Sequence, residues 1–254
     1  SPETLPLLLT PHVIKRSLLA DLGVDLLVAP TFDRQLANIP PREFIEEILA
    51  NRLMARNLLV GFNFRFGRGG HGDAEMLASY EGRLFNQVRV IPAFEFEGSP
   101  LSSTRIRQAI LDGDLPTAES MLGRRYRLAG KVVPGDGRGR VLGFPTANLE
   151  VPNQAIPPAG IYGSRVFFEP TSADAINGLL YIGSAPTFHT AAGEHPTRVE
   201  IFLMNWEGDL YDQELFVEVI CHIREDKTFQ TSQDLVKQIE KDRDFFTDWL
   251  YQNP

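Results

Sequence analysis

The sequence predicts an α/β domain followed by an antiparallel β-domain and a terminal helix. Residues 1–123 alternate short apolar runs with helical stretches, which is typical of covered parallel strands separated by helices. Residues 124–225 place frequent glycines and prolines between short alternating strands, which favours an antiparallel barrel or sandwich. We therefore predict a boundary near residues 123–126 and two domains, 1–123 and 124–254.

The first half contains three candidate strands and one clear helix start. Two strands are predicted from continuous short apolar runs at residues 25–29 and 58–61, and residues 87–91 are a third candidate strand. Pro40 and Pro41 open a helix, because the fixed φ of proline suits a first turn. The apolar stripe of this helix is predicted to comprise Phe44, Ile45, Ile48 and Leu49.

The second half contains two clearly alternating strands and a terminal helix. Successive side chains of a strand point to opposite faces, so residues two apart share a face. The shared apolar faces are predicted to be Val199, Ile201 and Leu203 in one strand and Leu215, Val217, Val219 and Cys221 in the other. Residues 231–250 form a helix that Thr231 or Ser232 caps. Its packing residues are predicted to be Leu235, Ile239, Phe245 and Trp249.

Charge and cysteine content exclude several classes of protein. The 25 basic and 33 acidic residues give a net charge of -8, which argues against a general nucleic-acid or membrane-surface binder but not against a local phosphate pocket. Cys221 is the only cysteine, so no intrachain disulfide forms and a cytoplasmic location is expected. No apolar stretch approaches 18 residues. We therefore expect small-molecule partners and neither nucleic acid nor membrane.

Residues 130–148, GKVVPGDGRGRVLGFPTAN, form the segment with the strongest chemical signal. Closely spaced glycines let backbone N–H groups approach a phosphate, although an ordinary glycine-rich hairpin has the same composition. The segment is neither a Walker A loop nor a dinucleotide-binding GxGxxG motif. On an extended chain Thr146 and Asn148 point to one side, where their oxygens suit Mg²⁺; the alternative is a simple Asx or Ser/Thr turn.

This segment resembles the signature of riboflavin kinases, which phosphorylate riboflavin to FMN. The other matching pieces follow in order at residues 158–162, 181–183 with 186–187, 199–200, 209–211 and 223–229. The first half resembles the adenylyltransferase module of bacterial bifunctional FAD synthetases, in which that module is fused to a riboflavin kinase. The pieces that carry this second resemblance are residues 32–34, 44–45, 61–67 and 102–107.

The resemblance implies an α/β nucleotidyltransferase-like domain, Rossmann-like and incomplete, before an antiparallel β-barrel riboflavin kinase domain with a C-terminal helix. The family's adenylyltransferase begins with a phosphate-binding motif of the form GxFDGxHxGH, and the chain contains no such string. We therefore expect the chain to begin part-way into the module and adenylylation of FMN to FAD to be impaired. The alternative is a non-catalytic module that only binds flavin.

The resemblance also implies roles for residues of the second half. Glu200 would be the general base towards riboflavin, whereas a lone strand glutamate is ordinarily solvated. Thr146 and Asn148 would hold Mg²⁺. The residues implied at ATP are Gly135, Arg140, Leu203, Asn205 and Tyr211, and those implied at the flavin are Arg224, Lys227 and Phe229. Asp212 stands where the family usually has glycine, and would add a negative charge near ATP.

In the first half the resemblance implies a triphosphate site for FMN adenylylation. Hydroxyls at a helix N-terminus suit an anion, although they also suit an ordinary N-cap. The residues implied there are Ser102, Ser103, Thr104, Arg107, Asn63 and Arg65. The expected substrates are therefore ATP and riboflavin with Mg²⁺, and the expected products are FMN and FAD.

Overall fold

The computed structural model describes residues 6–135, 137–184 and 197–253, and it divides into two compact units. The barrel unit comprises residues 1–25 with 102–254, and the α/β unit comprises residues 26–101. The predicted domain boundary near residues 123–126 stays a prediction. The predicted motif residues Pro186 and Thr187 lie outside the described residues.

In the described ranges, the helices are α1 (His12–Asp21), α2 (Arg34–Ala37), α3 (Pro41–Glu43), α4 (Ala74–Ala78), α5 (Ser103–Leu111), α6 (Leu115–Leu122), α7 (Arg138–Val141) and α8 (Ser232–Gln252). A π-helix (Phe44–Arg52) follows α3 directly, and a 3-10 turn covers Arg68–Gly70. The strands of the same ranges are β1 (Asn57–Gly61), β2 (Arg65–Phe66), β3 (Gly72–Asp73), β4 (Gln87–Ile91), β5 (Glu95–Phe96), β6 (Ser99–Pro100), β7 (Arg127–Val133), β8 (Thr146–Glu150), β9 (Gly160–Phe167), β10 (Ile176–Ser184), β11 (Thr197–Leu203) and β12 (Glu214–Arg224).

The α/β unit is built on the parallel pair β1 and β4, which runs in register from Asn57 opposite Gln87 to Gly61 opposite Ile91. Two predicted strands and the helix that opens at Pro41 are therefore confirmed. The predicted stripe packs as expected at Ile45, which is fully buried. The buried core of this unit consists of Ile45, Phe66, Leu77, Tyr80, Phe85 and Val88.

The predicted strand at residues 25–29 is wrong. These residues are irregular and exposed, with Leu26 77% and Val28 53% accessible. A strand requires a neighbouring backbone that takes its hydrogen bonds. Among the described residues no strand pairs with this segment, so its apolar composition alone does not make it a strand.

The barrel unit is a closed antiparallel barrel of six strands in the order β10-β11-β8-β7-β12-β9. Of the two architectures predicted from the sequence, barrel and sandwich, the structure has the barrel. Directly opposed residues share a face, so Leu128, Val217 and Val166 point inward together, and all three are buried. The predicted shared face of Val199, Ile201 and Leu203 is confirmed, since each is at most 5% exposed, and it points into the barrel.

Strand β12 is buried on both faces, which departs from simple alternation. Leu215, Val217 and Val219 share a face as predicted, and it points inward, while Phe216 on the outer face packs against Ile14 of α1. Cys221 leaves the predicted face because the register shifts between Val219 and Cys221. A β-bulge of this kind turns the following side chains to the other side of the strand.

Helix α8 covers the outer face of the barrel. Thr231 caps it as predicted, since its hydroxyl accepts a hydrogen bond from the N–H of Asp234 at 3.1 Å. The predicted packing of Phe245 is wrong: it is 48% exposed, whereas its neighbour Phe246 is fully buried. Consecutive helical residues differ by about 100° in direction, so only one of the two rings faces the barrel.

The ring of Phe246 lies directly on Gly163 of β9, where a Cβ would overlap with it. Ile239 and Trp249, both predicted to pack, belong to the same apolar cluster as Phe246. The glycine therefore allows the helix to approach the barrel closely.

The side chain of Gln154 takes up two backbone hydrogen-bonding groups of β7. Its side chain is 3% exposed, accepts from the N–H of Ala129 at 3.0 Å and donates to the carbonyl of Ala129 at 2.5 Å. Gln154→Leu leaves both backbone groups without a partner, so we expect a loss of about 1–3 kcal/mol in the free energy of unfolding. Urea denaturation measures it. Gln108→Leu, on an exposed helix face, is the control and is expected to stay within about 0.5 kcal/mol.

Candidate functional site

Two neighbouring cavities open in the barrel unit, with volumes of about 340 and 300 Å³. The first, called the glycine-loop cavity, is lined by residues of 132–148 and 203–211. The second, called the aromatic cavity, is lined by residues of β10, β11 and α8 and of the segment after β12. Thr146 lines both cavities, so ligands bound in the two cavities would both contact this residue.

The pairing of β8 with β11 explains why the predicted metal and base residues come together. Asn148 lies opposite Glu200 in the register, and Thr146 lies opposite Phe202. Directly opposed residues of an antiparallel pair share a face, so all four side chains lie on the outer face of the barrel. The Thr146 hydroxyl donates a hydrogen bond to Oε2 of Glu200 at 3.0 Å.

Glu200 is a largely buried carboxylate with both oxygens engaged. Its side chain is 13% exposed. Oε1 forms an ion pair with Nε of Arg198, and Oε2 accepts the hydrogen bond from Thr146. The carboxylate therefore has a fixed orientation at the junction of the two cavities.

Two glycines of the predicted phosphate-binding segment lie against these side chains. A Cβ at Gly135 would overlap with the side-chain amide of Asn148. A Cβ at Gly139 would overlap with the carbonyl oxygen of Phe144 and come within 3.1 Å of Oγ1 of Thr146. Glycine is required at both positions because the backbone approaches the site so closely.

The donor set at Thr146 and Asn148 fits Mg²⁺ bound together with phosphate. Because the Thr146 proton is directed at Glu200, the lone pairs of its oxygen remain available to a cation. The described residues contain no cluster of three or more His, Cys, Asp or Glu side chains that could hold a metal. Mg²⁺ needs no such cage, since it keeps water and substrate phosphates as ligands.

The three predicted flavin residues all line the aromatic cavity. The guanidinium carbon of Arg224 and Nζ of Lys227 lie 5.7 and 5.8 Å from the ring centroid of Phe229. Both cations are therefore within range of a cation–π interaction with this ring. A flat aromatic ligand fits such a mixture of ring and cations.

Arg224 also ties β12 to α8. Its Nε lies 3.0 Å from both carboxylate oxygens of Asp242, and Gln238 donates to the same carboxylate at 2.8 Å. Asp242 is 3% exposed, so its charge is compensated almost entirely by protein groups. The ion pair fixes the wall of the aromatic cavity.

Tyr181 closes another side of the aromatic cavity by donating a hydrogen bond to Oδ2 of Asp226 at 3.1 Å. Burial, together with the negative charge of Asp226, raises the pKa of Tyr181 to about 12. The phenol therefore stays protonated and remains a donor through the neutral pH range.

Of the predicted ATP residues, Gly135, Arg140, Leu203 and Tyr211 line the glycine-loop cavity. Asn205 is exposed on the turn after β11, with a positive φ of 54°, and is not among the lining residues.

Asp212 adopts the left-handed backbone that the usual glycine would take, with φ of 63°. Its carboxylate pairs with Nζ of Lys131 at 2.7 Å, and this hydrogen bond raises the pKa of Lys131. The expected extra negative charge near ATP is therefore paired with a lysine.

The residues predicted for the adenylyltransferase site fall into both compact units. Ser102 acts as the N-cap of α5, which begins at Ser103, and accepts from the N–H of Arg105 at 3.3 Å. Arg107 donates from Nε to the carbonyl of Leu7 at 2.8 Å. In the α/β unit, Asn63 is exposed and Arg65 pairs with Asp73 at 3.2 Å. The ordinary N-cap is therefore present at α5, and a phosphate role for these residues stays a prediction.

Several residues that line the cavities were not predicted as site residues, although two of them, Tyr181 and Asp226, lie within the matching segments 181–183 and 223–229. They are Trp206, Tyr181, Asp226 and Arg198. For Arg198 a signal was available, since it lies two residues before Glu200 and therefore on the same strand face. The Tyr181–Asp226 contact joins residues 45 positions apart, which no local pattern indicates.

Two neighbouring cavities that share Thr146, whose hydroxyl is hydrogen-bonded to the Glu200 carboxylate, fit an enzyme that binds two substrates side by side. The riboflavin kinase family model matches residues 122–250, and the FAD synthetase family model matches residues 1–105. The chain belongs to the bifunctional riboflavin kinase/FMN adenylyltransferase family.

Relatives in that family are similar over most of the chain. The bifunctional riboflavin kinase/FMN adenylyltransferase of Escherichia coli (strain K12) is 34% identical over 232 residues, which are 90% of this chain and 72% of the relative. The protein of the same name from Bacillus subtilis (strain 168) is 30% identical over 238 residues, 93% of this chain and 73% of the relative.

Among solved structures, a protein from Streptococcus pneumoniae named a macrolide-efflux protein is similar with a TM-score of 0.78 and 30% identity. The similarity covers 98% of this chain and 81% of that one. In the portion of the present chain that the structure describes, none of the helices has the length and apolar character needed to cross a membrane.

Proposed function

We propose that the barrel unit phosphorylates riboflavin to FMN at the expense of ATP, with ATP in the glycine-loop cavity and riboflavin in the aromatic cavity. The observation that carries this proposal is the shared position of Thr146, whose hydroxyl donates to Glu200 where the cavities meet. Phosphoryl transfer depends mainly on positioning and charge neutralisation, and a junction of this kind supplies both.

In the proposed reaction the ribityl 5′-hydroxyl oxygen of riboflavin forms a bond to the γ-phosphorus of ATP. The bond between that phosphorus and the bridging oxygen breaks, and ADP leaves with its electron pair. Glu200 accepts the hydroxyl proton and later releases it to solvent. Arg140 neutralises phosphate charge from the wall of the glycine-loop cavity.

Thr146 and Asn148 are the residues that would hold Mg²⁺. When bound, the ion neutralises negative charge on the phosphate oxygens. Gly135 and Gly139 keep the backbone close to these two side chains, so that the phosphate end of the cavity stays narrow.

In the aromatic cavity, Phe229 stacks on the flavin ring, and Arg224 and Lys227 contribute their charges beside it. The Arg224–Asp242 ion pair fixes this wall in place before the ligand binds. Preorganisation of this kind lowers the cost of ordering side chains on binding.

The family's second activity, adenylylation of FMN to FAD, is supported by the FAD synthetase match over residues 1–105. Its impairment in this chain stays a prediction, as do the roles of the six residues named for its phosphate site and the cytoplasmic location. A module that binds flavin without catalysis is the less favoured alternative, because binding alone does not explain a carboxylate and a hydroxyl at the junction.

One assay tests both activities and the alternative. The protein is incubated with riboflavin and MgATP, then with FMN and MgATP, and FMN, FAD, ADP and pyrophosphate are measured separately. FMN together with ADP in the first reaction is the expected result. Binding of FMN without any ATP-dependent conversion of riboflavin contradicts the proposal and favours the binding module. FAD together with pyrophosphate in the second reaction contradicts the predicted impairment.

Gly135→Ala tests the close approach of the phosphate-binding segment. The added Cβ overlaps with the Asn148 amide, so the amide must move. A displacement of about 1 Å at a positioning group costs on the order of 10²-fold, so we expect kcat/KM for ATP to fall by about 10–100-fold.

Steady-state kinetics with varied ATP measures the effect of Gly135→Ala, and thermal unfolding shows whether the barrel is intact. Gly61→Ala is the matched control, because its Cβ would stand 3.4 Å from the nearest atom, an ordinary contact. An unchanged kcat/KM in Gly135→Ala would show that the position of Asn148 does not matter for ATP.

A further inference from the structure

We propose that Arg198 is a positioning residue that holds the Glu200 carboxylate in its productive orientation. This inference rests on the proposed kinase function and extends it to a residue outside the predicted site. Arg198 acts through Glu200, which in turn faces the Thr146 hydroxyl at the junction of the two cavities.

The geometry of β11 places the pair. Arg198 and Glu200 are two residues apart on a strand, so their side chains leave the same face. Nε of Arg198 pairs with Oε1 of Glu200, and the Thr146 hydroxyl donates to Oε2 at 3.0 Å. With one oxygen held from each side, the carboxylate cannot rotate freely about its terminal torsion, which is otherwise broad.

Burial makes this ion pair more effective than an exposed one. The side chains of Arg198 and Glu200 are 29% and 13% exposed, and both line the aromatic cavity. Charges removed from bulk water interact more strongly than exposed pairs do. Glu200 also lies opposite Tyr181 in the register, so a third side chain limits the space available to it.

A guanidinium in this position has one competing role. It would contact the transferred phosphoryl group directly and stabilise its charge, as arginines do in other phosphoryl transferases. The position of Arg198 favours the first role, because its Nε forms an ion pair with the Glu200 carboxylate. The two roles differ in whether the effect of Arg198 depends on Glu200.

A double-mutant cycle distinguishes these roles. Wild type, Arg198→Gln, Glu200→Gln and the double variant are compared in kcat and in KM for riboflavin and ATP. We expect Arg198→Gln to lower kcat by about 10-fold with both KM values within about three-fold. In the Glu200→Gln background we expect no further loss from Arg198→Gln. Arg198→Lys keeps the charge without the fixed guanidinium geometry and is expected to be intermediate.

Arg127→Gln is the matched control, because Arg127 also pairs with a barrel glutamate, Glu218, at 2.6 Å with both side chains 16% exposed. It is expected to lower Tm while kcat stays unchanged. If Arg198→Gln fails to fold, Arg198→Lys takes its place in the cycle. We then expect Arg198→Lys to lower kcat in the wild-type background and to cause no further loss of kcat in the Glu200→Gln background.

Additive losses in the cycle, or a rise confined to KM for ATP, overturn the positioning role and leave the proposed function intact. A wild-type protein that binds riboflavin but forms no FMN overturns the proposed function and this inference together. These two failures are distinguished by the wild-type assay alone.

Discussion

Thr146→Val and Asn148→Ala are each expected to reduce kcat for riboflavin phosphorylation by about 10²–10³-fold, at least as much as Glu200→Gln does. In phosphoryl transfer the protein contributes chiefly by placing the reactants and neutralising charge, while the base contributes less. Thr146 lines both cavities, and Asn148 lies against Gly135 at the end of the glycine-loop cavity where we propose that the phosphates bind. Loss of either side chain therefore affects the position of the phosphate and of its counter-ion.

Thr146→Ser provides the matched control for this prediction. It keeps the hydroxyl that donates to Glu200 and removes only a methyl group, so most of the activity is expected to remain. Rates are measured as ADP formed at saturating riboflavin and MgATP, and Tm confirms that each variant is folded. Near-normal turnover in Thr146→Val and Asn148→Ala, combined with a large loss in Glu200→Gln, would contradict the expected order.

The local features of the barrel were predictable from residue patterns. The alternation around Ile201 and around Val217 gave the inward faces, because a strand side chain has a period of two. Because residues two apart on an extended chain point the same way, the sequence also predicted that Thr146 and Asn148 lie on one side. The strand partners were not predictable from these patterns: that Asn148 lies opposite Glu200 depends on the pairing of two strands about 50 residues apart.

The wrong predictions share a physical cause. The run at residues 25–29 is apolar enough for a strand, but strand formation also requires a partner backbone, which sequence composition does not report. The bulge before Cys221 reverses the later faces of β12 through one local shift in register. No prediction was made for Gln154, because the backbone groups of Ala129 that it bonds lie 25 residues away in the chain.

The choice between Phe245 and Phe246 shows the same limit on a helix. Both residues are apolar and adjacent, and a helical pattern of period 3.6 leaves either one near the buried stripe. The contact with Gly163, more than 80 residues earlier in the chain, selects Phe246. The space that Phe246 occupies above Gly163 exists only when the helix is packed on the barrel. The sequence of α8 alone therefore does not specify which of the two rings is buried.

Phe246→Ala is accordingly expected to cost about 3–5 kcal/mol in the free energy of unfolding of the barrel unit. The ring is fully buried and packs with Leu179, Ile220 and Trp249, so its removal leaves a cavity between α8 and the barrel. The substitution removes the apolar contacts of the ring, and the neighbours can fill the space only in part.

Phe245→Ala is the matched control, because it removes the same atoms from the adjacent, 48% exposed position and is expected to cost less than about 1 kcal/mol. Urea denaturation followed by tryptophan fluorescence measures both variants, since Trp249 stacks near Phe246 with ring centroids 6.4 Å apart. Equal losses in the two variants would contradict the buried position of Phe246.

Because Leu235 and Ile239 of the same helix line the aromatic cavity, Phe246→Ala is also expected to raise KM for riboflavin, whereas Phe245→Ala leaves it unchanged.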